Sequence, residues 1–339
     1  MRRVRLRFVS DVEVEFVDRV RALGQVVEVA ERGTRFPIVV YGPEGCGKTA
    51  LLRQARLILE DHGYSVVYAN PMAGREDEKL VYTPSIRDIV KEALKALPDP
   101  YSRIVDASIT IASMALRRFR RPRVALLMDD LFQAVGVDRA EAYTKTLLNL
   151  IEYPPGDYER IVVLVASSEG VTRERVGRHD WATMMLLWNM PREGFRELYD
   201  RLPGEKPGFE DAWSLTGGNP RYLGGLYEAG WSPDPILDSM IRARRLKSFI
   251  KSLDGKEAEI LREAINDPDA IFERLREPGA RSLERKLVEL NLIIEVWDRN
   301  EWSWVDEPPP EKNPELGIGR YYAWQTPLHR EAVKRALGA

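Results

Sequence analysis

Residues 42–49 read GPEGCGKT and have the chemistry of a phosphate-binding loop. They match the pattern GxxxxGK(S/T) in full, and they lie between a predicted buried strand and a predicted amphipathic helix, which is the context that the pattern requires. Glycines let successive backbone N–H groups turn towards phosphate oxygens, and the following helix adds the positive end of its dipole. The residues predicted to line this site are Gly42, Pro43, Glu44, Gly45, Cys46, Gly47, Lys48, Thr49 and Ala50.

Two side chains of the loop have predicted roles of their own. Lys48 is expected to reach the β and γ phosphates of a nucleoside triphosphate, and Thr49 is expected to coordinate Mg²⁺. Cys46 occupies a variable position of the pattern, where the backbone rather than the side chain contacts phosphate. These residue types predict Mg²⁺-dependent nucleotide hydrolysis.

A second buried run is followed by two aspartates, since residues 124–130 read VALLMDD. A carboxylate after such a strand is a typical metal ligand in proteins with a phosphate loop, so Asp129 is predicted to bind Mg²⁺. Asp130 stands where many ATPases have a glutamate that polarises the attacking water. It is read either as that base or as an electrostatic neighbour or helix N-cap. As a base it would be slow, because aspartate is one methylene shorter than glutamate.

Polar residues that could sense the γ-phosphate follow the fourth predicted strand. Ser167 and Ser168 end that strand, and Ser167 is the candidate, although serines also commonly end strands. Arg173, Arg175 and Arg178 come next. We favour Arg178 as the phosphate-facing cation, because the pair Gly177-Arg178 lies just before the fifth predicted strand.

Five near-continuous apolar runs must position these side chains. The runs lie at 37–41, 65–69, 124–128, 161–166 and 184–188, and helical patterns alternate with them. Continuous apolar strands that alternate with helices are typical of a parallel sheet covered on both faces. The sequence therefore predicts an α/β fold in which a parallel P-loop NTPase sheet carries the site.

No further apolar runs typical of buried strands follow Pro191 until the C-terminal region. Two further regions with different patterns follow. Helical patterns continue to about residue 253. Three helices then follow at 256–265, 270–275 and 282–290, and two strand-like runs flank a predicted hairpin turn at 298–300. Three helices followed by a hairpin is the winged-helix order. The predicted domains are an ATPase core at 1–190, a helical lid subdomain at 191–253 and a C-terminal winged-helix domain at 254–339.

Composition excludes several other classes of protein. The chain has 339 residues and a formal net charge of −2. It therefore has no overall excess of positive charge that would attract nucleic acid or anionic membranes. Its one cysteine rules out an intrachain disulfide framework and favours a reducing, cytoplasmic location. The longest stretch without Asp, Glu, Lys or Arg is thirteen residues, at 62–74, whereas a spanning helix needs about 20. No membrane association is expected.

These motifs together resemble the archaeal ATPase family, in the STAND branch of AAA-like P-loop NTPases. The residues that carry the resemblance are the loop at 42–49, LLMDD at 126–130, ASSEG at 166–170, Gly177-Arg178 and TGGNPRYL at 216–223. Residues 16–19 also resemble the family's N-terminal hydrophobic–hydrophobic–Gly–Arg–Glu motif. They depart from it, because Asp18 replaces the glycine and Val20 replaces the acid.

The resemblance implies further roles around the nucleotide. The motif at 217–220 would lie against the base, with Gly218 and Pro220 as cofactor-binding residues, and it would couple nucleotide to lid position. Arg221 would be a lid arginine that reaches the phosphates, and Arg19 a nucleotide-sensing residue. An ordinary helix-starting turn is the other reading of this GGNP sequence.

The implied function is an ATP-driven molecular switch with slow Mg²⁺-dependent hydrolysis, ATP/ADP and Mg²⁺ as cofactors, and a protein partner or self-association. An initiator- or transposition-type ATPase that binds duplex DNA is the alternative, and a small-molecule kinase is a third. Residues 241–339 contain 18 basic and 18 acidic residues, which favours protein contact over DNA. A local DNA surface remains open, built from Arg242, Arg244, Arg245, Lys247, Trp297, Trp302 and Trp304.

Overall fold

The computed structural model describes residues 2–95, 102–168, 175–296 and 298–338, and the chain divides into two compact units. The sheet unit comprises residues 1–5, 20–41 and 48–186, and the helical unit comprises residues 6–19, 42–47 and 187–339. Within the described ranges, no helix is long and apolar enough to cross a membrane.

The regular elements alternate along the first half of the chain and are mainly helical along the second. The strands are β1 (Arg5–Val9), β2 (Val12–Glu15), β3 (Ile38–Tyr41), β4 (Ser65–Ala69), β5 (Leu80–Tyr82), β6 (Arg123–Met128), β7 (Arg160–Ser167), β8 (Thr183–Leu187), β9 (Ile293–Glu295), β10 (Trp304–Val305) and β11 (Tyr322–Trp324). The helices are α1 (Val20–Arg32), α2 (Lys48–Asp61), α3 (Glu76–Lys79), α4 (Arg87–Lys95), α5 (Ser102–Arg118), α6 (Leu131–Val135), α7 (Ala140–Glu152), α8 (Arg192–Asp200), α9 (Phe209–Thr216), α10 (Pro220–Glu228), α11 (Asp234–Ala243), α12 (Leu246–Lys251), α13 (Gly255–Asn266), α14 (Ala270–Glu273), α15 (Ala280–Glu289) and α16 (Pro327–Leu337).

Six strands form the sheet of the sheet unit, in the order β8-β3-β7-β6-β4-β5. β3 runs parallel to both of its neighbours, with Val40 opposite Ala166 on one side and Met185 on the other. β6 is parallel to β7 and β4, and only the edge strand β5 is antiparallel. The predicted α/β fold with a mainly parallel sheet is therefore confirmed, and all five predicted strands are present.

Helices bury the apolar faces of this sheet. The uncharged run at 107–116 lies within α5, where Ala107, Ile111 and Ala115 are fully buried, as a core helix requires. β5 was not predicted, because its three residues are only half-buried and give no apolar run.

The helical unit has two hydrophobic clusters. One includes Val14, Phe195, Phe209 and Leu223, and so packs α8 to α10 together with the segment around β2. The other extends from Tyr222 to Val333 and encloses the fully buried Trp324. Each cluster joins residues that are far apart in sequence, which fixes the positions of the loops between them.

The predicted hairpin across 298–300 is wrong. β9 pairs antiparallel with β11, so that Ile293 lies opposite Trp324. The intervening segment turns instead, because the Asp298 carboxylate accepts hydrogen bonds from Asn300 N and Ser303 Oγ, and a 3₁₀ turn follows at Glu301–Ser303. Trp297, which the DNA-surface prediction included, lies outside the described residues.

Candidate nucleotide site

Loop 42–47 lies in the helical unit, and two of its glycines are required by close approach. Gly42 has φ 153°, and a Cβ atom there would lie 2.0 Å from the carbonyl oxygen of Leu187. Gly45 has φ 81°, and its Cβ would lie 2.3 Å from the Cβ of Arg221. Any side chain at either position would force backbone to move, so both positions require glycine.

Four consecutive carbonyl oxygens of this loop accept hydrogen bonds. The bonds run from Cys46 N to Pro43 O at 3.2 Å, from Asn219 Nδ2 to Glu44 O at 3.0 Å, from Arg221 N to Gly45 O at 3.4 Å and from Arg19 Nη2 to Cys46 O at 2.8 Å. In a trans peptide, the C=O of one residue and the N–H of the next point in opposite directions. A bond to each carbonyl therefore also fixes the direction of the N–H group that follows it in the loop.

Asn219 connects the loop to the start of α10. It is fully buried, and its Oδ1 accepts hydrogen bonds from Arg221 N and Tyr222 N, which makes it the N-cap of that helix. Its Nδ2 donates to Glu44 O and also, at 2.8 Å, to Asn189 Oδ1. Of the predicted base-contacting residues, Gly218 accepts a hydrogen bond from Met190 N, and Pro220 occupies the first turn of α10.

The side chain of Glu44 has a role that the sequence did not indicate. Its carboxylate forms ion pairs with Arg221 and, at 3.2 Å, with Arg244, and its backbone N–H donates to Gln325 Oε1 at 3.0 Å. These four side chains lie in the helical unit, where Glu44, Arg221 and Arg244 line a cavity of about 970 Å³. The sequence offered no signal, since the partners are separated by up to 281 residues.

Arg19 and Cys46 are both buried in the helical unit. The Arg19 guanidinium bonds to Cys46 O, Trp188 O and the carboxylate of Asp306. Cys46 has no exposed surface, and its Sγ donates to Leu187 O at 3.4 Å. The side chain at this variable position of the motif is thus packed inward.

In the sheet unit, the two predicted Mg²⁺ ligands lie together. The Asp129 carboxylate accepts hydrogen bonds from Tyr68 OH at 3.0 Å and Asn70 Nδ2 at 3.2 Å, and the Thr49 hydroxyl is near enough to lower its pKa. Burial raises the pKa of Asp129, while these hydrogen bonds and the charges of Lys48 and Arg53 oppose that rise. Lys48 is buried at the first position of α2, next to the charge of Asp129.

The remaining predicted catalytic residues lie at three separate places in the sheet unit. Asp130 is at the N-cap of the short helix α6 in a left-handed conformation, φ 51°, and its side chain makes no capping hydrogen bond. Ser167 is buried at the end of β7. Arg178 is exposed, whereas Arg175 pairs with Asp138 at 3.0 Å. Arg173 lies outside the described residues.

The chain was compared with protein families, with curated proteins and with solved structures. A family described as an ATPase domain predominantly from Archaea matches residues 16–226. No curated protein matches the chain. A Walker-type ATPase of Pyrococcus abyssi has a TM-score of 0.50 and 13% identity, over 94% of this chain and 96% of that one. The ORC2 protein of Aeropyrum pernix has a TM-score of 0.42 and 13% identity, over 98% of both chains. The first of these structural likenesses supports the fold.

Proposed function

The chain belongs to the ATPase family found predominantly in Archaea, and from that premise we propose that it is a slow Mg²⁺-dependent ATP hydrolase that works as a STAND-type molecular switch. Bound ATP or ADP would set the arrangement of the segments around its phosphate loop. The proposed organisation is an ATPase core at 1–190, a helical lid subdomain at 191–253 and a winged-helix domain at 254–339, in a cytoplasmic protein.

The observation that carries the switch proposal is the set of hydrogen bonds made by loop 42–47 within the helical unit. Asn219 and Arg221, from the proposed lid, and Gln325, from the proposed winged helix, all bond to this loop. A phosphate bound to the loop would add negative charge and hydrogen-bond acceptors beside the proposed lid and the proposed winged helix, which both bond to this loop. Bonds between the phosphate loop and two other segments favour a switch, because nucleotide binding could then change how those segments are arranged. A small-molecule kinase needs instead a site for a second substrate.

Thr49 and Asp129 are the residues that we propose hold Mg²⁺. The Thr49 hydroxyl is near enough to lower the pKa of Asp129, and hydroxyl and carboxylate oxygens are ligands that Mg²⁺ accepts. The ion would neutralise charge that develops on the β and γ phosphates. A cation here would also favour the ionised Asp129 that burial disfavours, so the chemistry of this pair fits the ion.

We propose that four side chains take part in hydrolysis. Lys48 would bind the β and γ phosphates, Asp130 would orient the attacking water, Ser167 would contact the γ-phosphate, and Arg178 would stabilise the charge of the transferring phosphoryl group. The left-handed backbone of Asp130 supports its role, because strained residues of this kind occur often at functional sites.

Duplex DNA is a second candidate partner, favoured by one specific surface. Arg242, Arg245 and Lys247 line a groove of the helical unit, and Trp302 is 80% exposed. Two other residues of the predicted DNA surface are not placed to contact DNA, since Arg244 pairs with Glu44 and Trp304 is buried. We therefore expect only weak, salt-sensitive and sequence-tolerant DNA binding.

The test measures ATP hydrolysis by the full chain with and without duplex DNA, together with its mass in solution in ADP and in a non-hydrolysable ATP analogue. Lys48→Ala is the control that should abolish hydrolysis and nucleotide-dependent stabilisation. A switch predicts slow hydrolysis, a nucleotide-dependent change in shape or mass, and little effect of DNA. Tight DNA binding that survives ~200 mM salt, or stimulation of hydrolysis by DNA, would favour the initiator-like alternative instead.

A further inference from the structure

The side chain of Arg19 is buried in the helical unit, where it is only 5% exposed. Its Nη2 donates to two carbonyl oxygens, Cys46 O and Trp188 O, each at 2.8 Å, and its Nη1 donates to Asp306 Oδ2 at 2.9 Å. The guanidinium thus joins the phosphate loop, the segment after β8 and the segment after β10 at one point.

The bond to Cys46 O acts on the peptide between Cys46 and Gly47. This peptide is planar and trans, so its C=O and N–H point in opposite directions. When Arg19 holds the carbonyl of Cys46, it also fixes the direction of the N–H of Gly47. That N–H belongs to the glycine that precedes Lys48, within the part of the motif that binds phosphate.

Asp306 supplies the counter-charge that lets Arg19 remain in the interior. Its side chain is 4% exposed, and an unpaired guanidinium in such a place would be strongly destabilising. Arg19 and Asp306 both have positive φ angles, 57° and 65°, which non-glycine residues seldom adopt. Two uncommon backbone conformations bring this one ion pair together, which supports a specific role for it.

We infer that Arg19 is a positioning residue of the phosphate loop, with Asp306 as its counter-ion, and that it acts through the peptide between Cys46 and Gly47 rather than by contact with nucleotide. This inference rests on the proposed function, since it assumes that the loop binds nucleotide phosphates. It gives residues 16–19 a role that differs from the nucleotide sensing implied by their resemblance to a family motif. Both Nη atoms already have protein acceptors.

The experiment separates loop positioning from stability. Arg19→Met and Asp306→Leu each remove one charge of the buried ion pair and should lower the melting temperature, whereas the double variant removes both charges and should recover much of the loss. The Kd for ADP, measured by calorimetry on the full chain, should remain about tenfold weaker in the double variant, because the bond from Arg19 to Cys46 O is absent. Arg19→Lys provides a second variant, since it keeps the charge opposite Asp306 but cannot reproduce the three bonds of the guanidinium.

Arg299→Met is the matched control. Arg299 also donates to backbone carbonyls of the helical unit, among them Val296 O and Arg320 O at 2.7 Å, but its partners lie outside the loop. This variant should keep the wild-type Kd for ADP. A wild-type Kd in both the double variant and Arg19→Lys would overturn the inference, and so would an equal weakening in Arg299→Met. If Lys48→Ala still binds ADP normally, the proposed function itself fails, whatever the Arg19 variants show.

Discussion

The guanidinium of Arg244 lies 3.2 Å from the carboxylate of Glu44, which belongs to the phosphate loop, although the two residues are 200 positions apart. The same carboxylate also pairs with Arg221, at the start of α10. One acidic side chain of the loop thus holds two arginines, and an incoming triphosphate, itself an anion, would compete with Glu44 for both.

Glu44→Gln should therefore tighten ATP binding. We expect an effect of about threefold, because partly exposed ion pairs are worth only ~0–1 kcal/mol, and we expect it to shrink as salt is raised. Calorimetric titration at two ionic strengths measures it. Glu289→Gln, which removes another carboxylate that lines the same cavity, serves as the control. An equal gain in ATP affinity in both variants would show that the effect comes from the total negative charge of the cavity and not from the ion pairs of Glu44.

Asp129→Asn should stabilise the nucleotide-free protein at neutral pH by on the order of 1 kcal/mol. Burial raises the pKa of Asp129 above its ordinary value of 3.8, so the carboxyl favours the fold while protonated, and this contribution is lost as pH rises through the raised pKa. The advantage of the variant should thus grow from about pH 4 towards neutrality. Stabilisation by Mg·ATP should disappear at the same time. Melting curves across pH would contradict this if the variant were the less stable protein at pH 7.

Asp130→Asn should slow hydrolysis on the order of 100-fold and leave nucleotide affinity nearly unchanged, because a general base acts on the attacking water rather than on binding. Single-turnover hydrolysis and ADP affinity, measured on the same preparation, test the two effects. Asp138→Asn, which neutralises an exposed carboxylate in a nearby 3₁₀ turn, should hydrolyse ATP at the parental rate. Parental turnover in Asp130→Asn would eliminate it as the base.

Arg178→Ala should lower kcat roughly 100-fold with little change in ADP affinity, since a cation on the transferring phosphoryl group acts mainly in the transition state. Arg175→Ala is the matched control, because Arg175 already pairs with Asp138. Steady-state measurements of kcat for the two variants show which of the two arginines acts in hydrolysis. A comparable loss of kcat in Arg175→Ala would remove the case for Arg178.

The sheet and the phosphate loop could be predicted from the sequence because their signals are local. A strand that is buried on both faces, such as β6 or β7, reads as an apolar run, and the loop has a fixed spacing of glycine and lysine. The half-buried edge strand β5 has no such signal. The pairing of β9 with β11 was also missed, because the partner strand follows a long intervening loop and the aromatic alternation between them favoured a nearer hairpin.

The contacts of charged residues in the candidate site could not be predicted for a different reason. Arg19 and Asp306 are buried, whereas charged residues are usually exposed, and nothing in a sequence marks the exceptions. Glu44 occupies a variable position of the motif, so the spacing specifies only its backbone. The domain boundaries at 190 and 253 and the winged helix remain predictions.

The packing of Cys46 gives the protein a built-in chemical reporter. It is the one thiol among 339 residues, it sits within the phosphate loop, and it is fully enclosed. An alkylating reagent can reach a buried sulfur only during a local opening. The rate at which Cys46 of the unmodified protein is alkylated therefore measures how often this loop opens. Comparing that rate between nucleotide states needs no engineered probe.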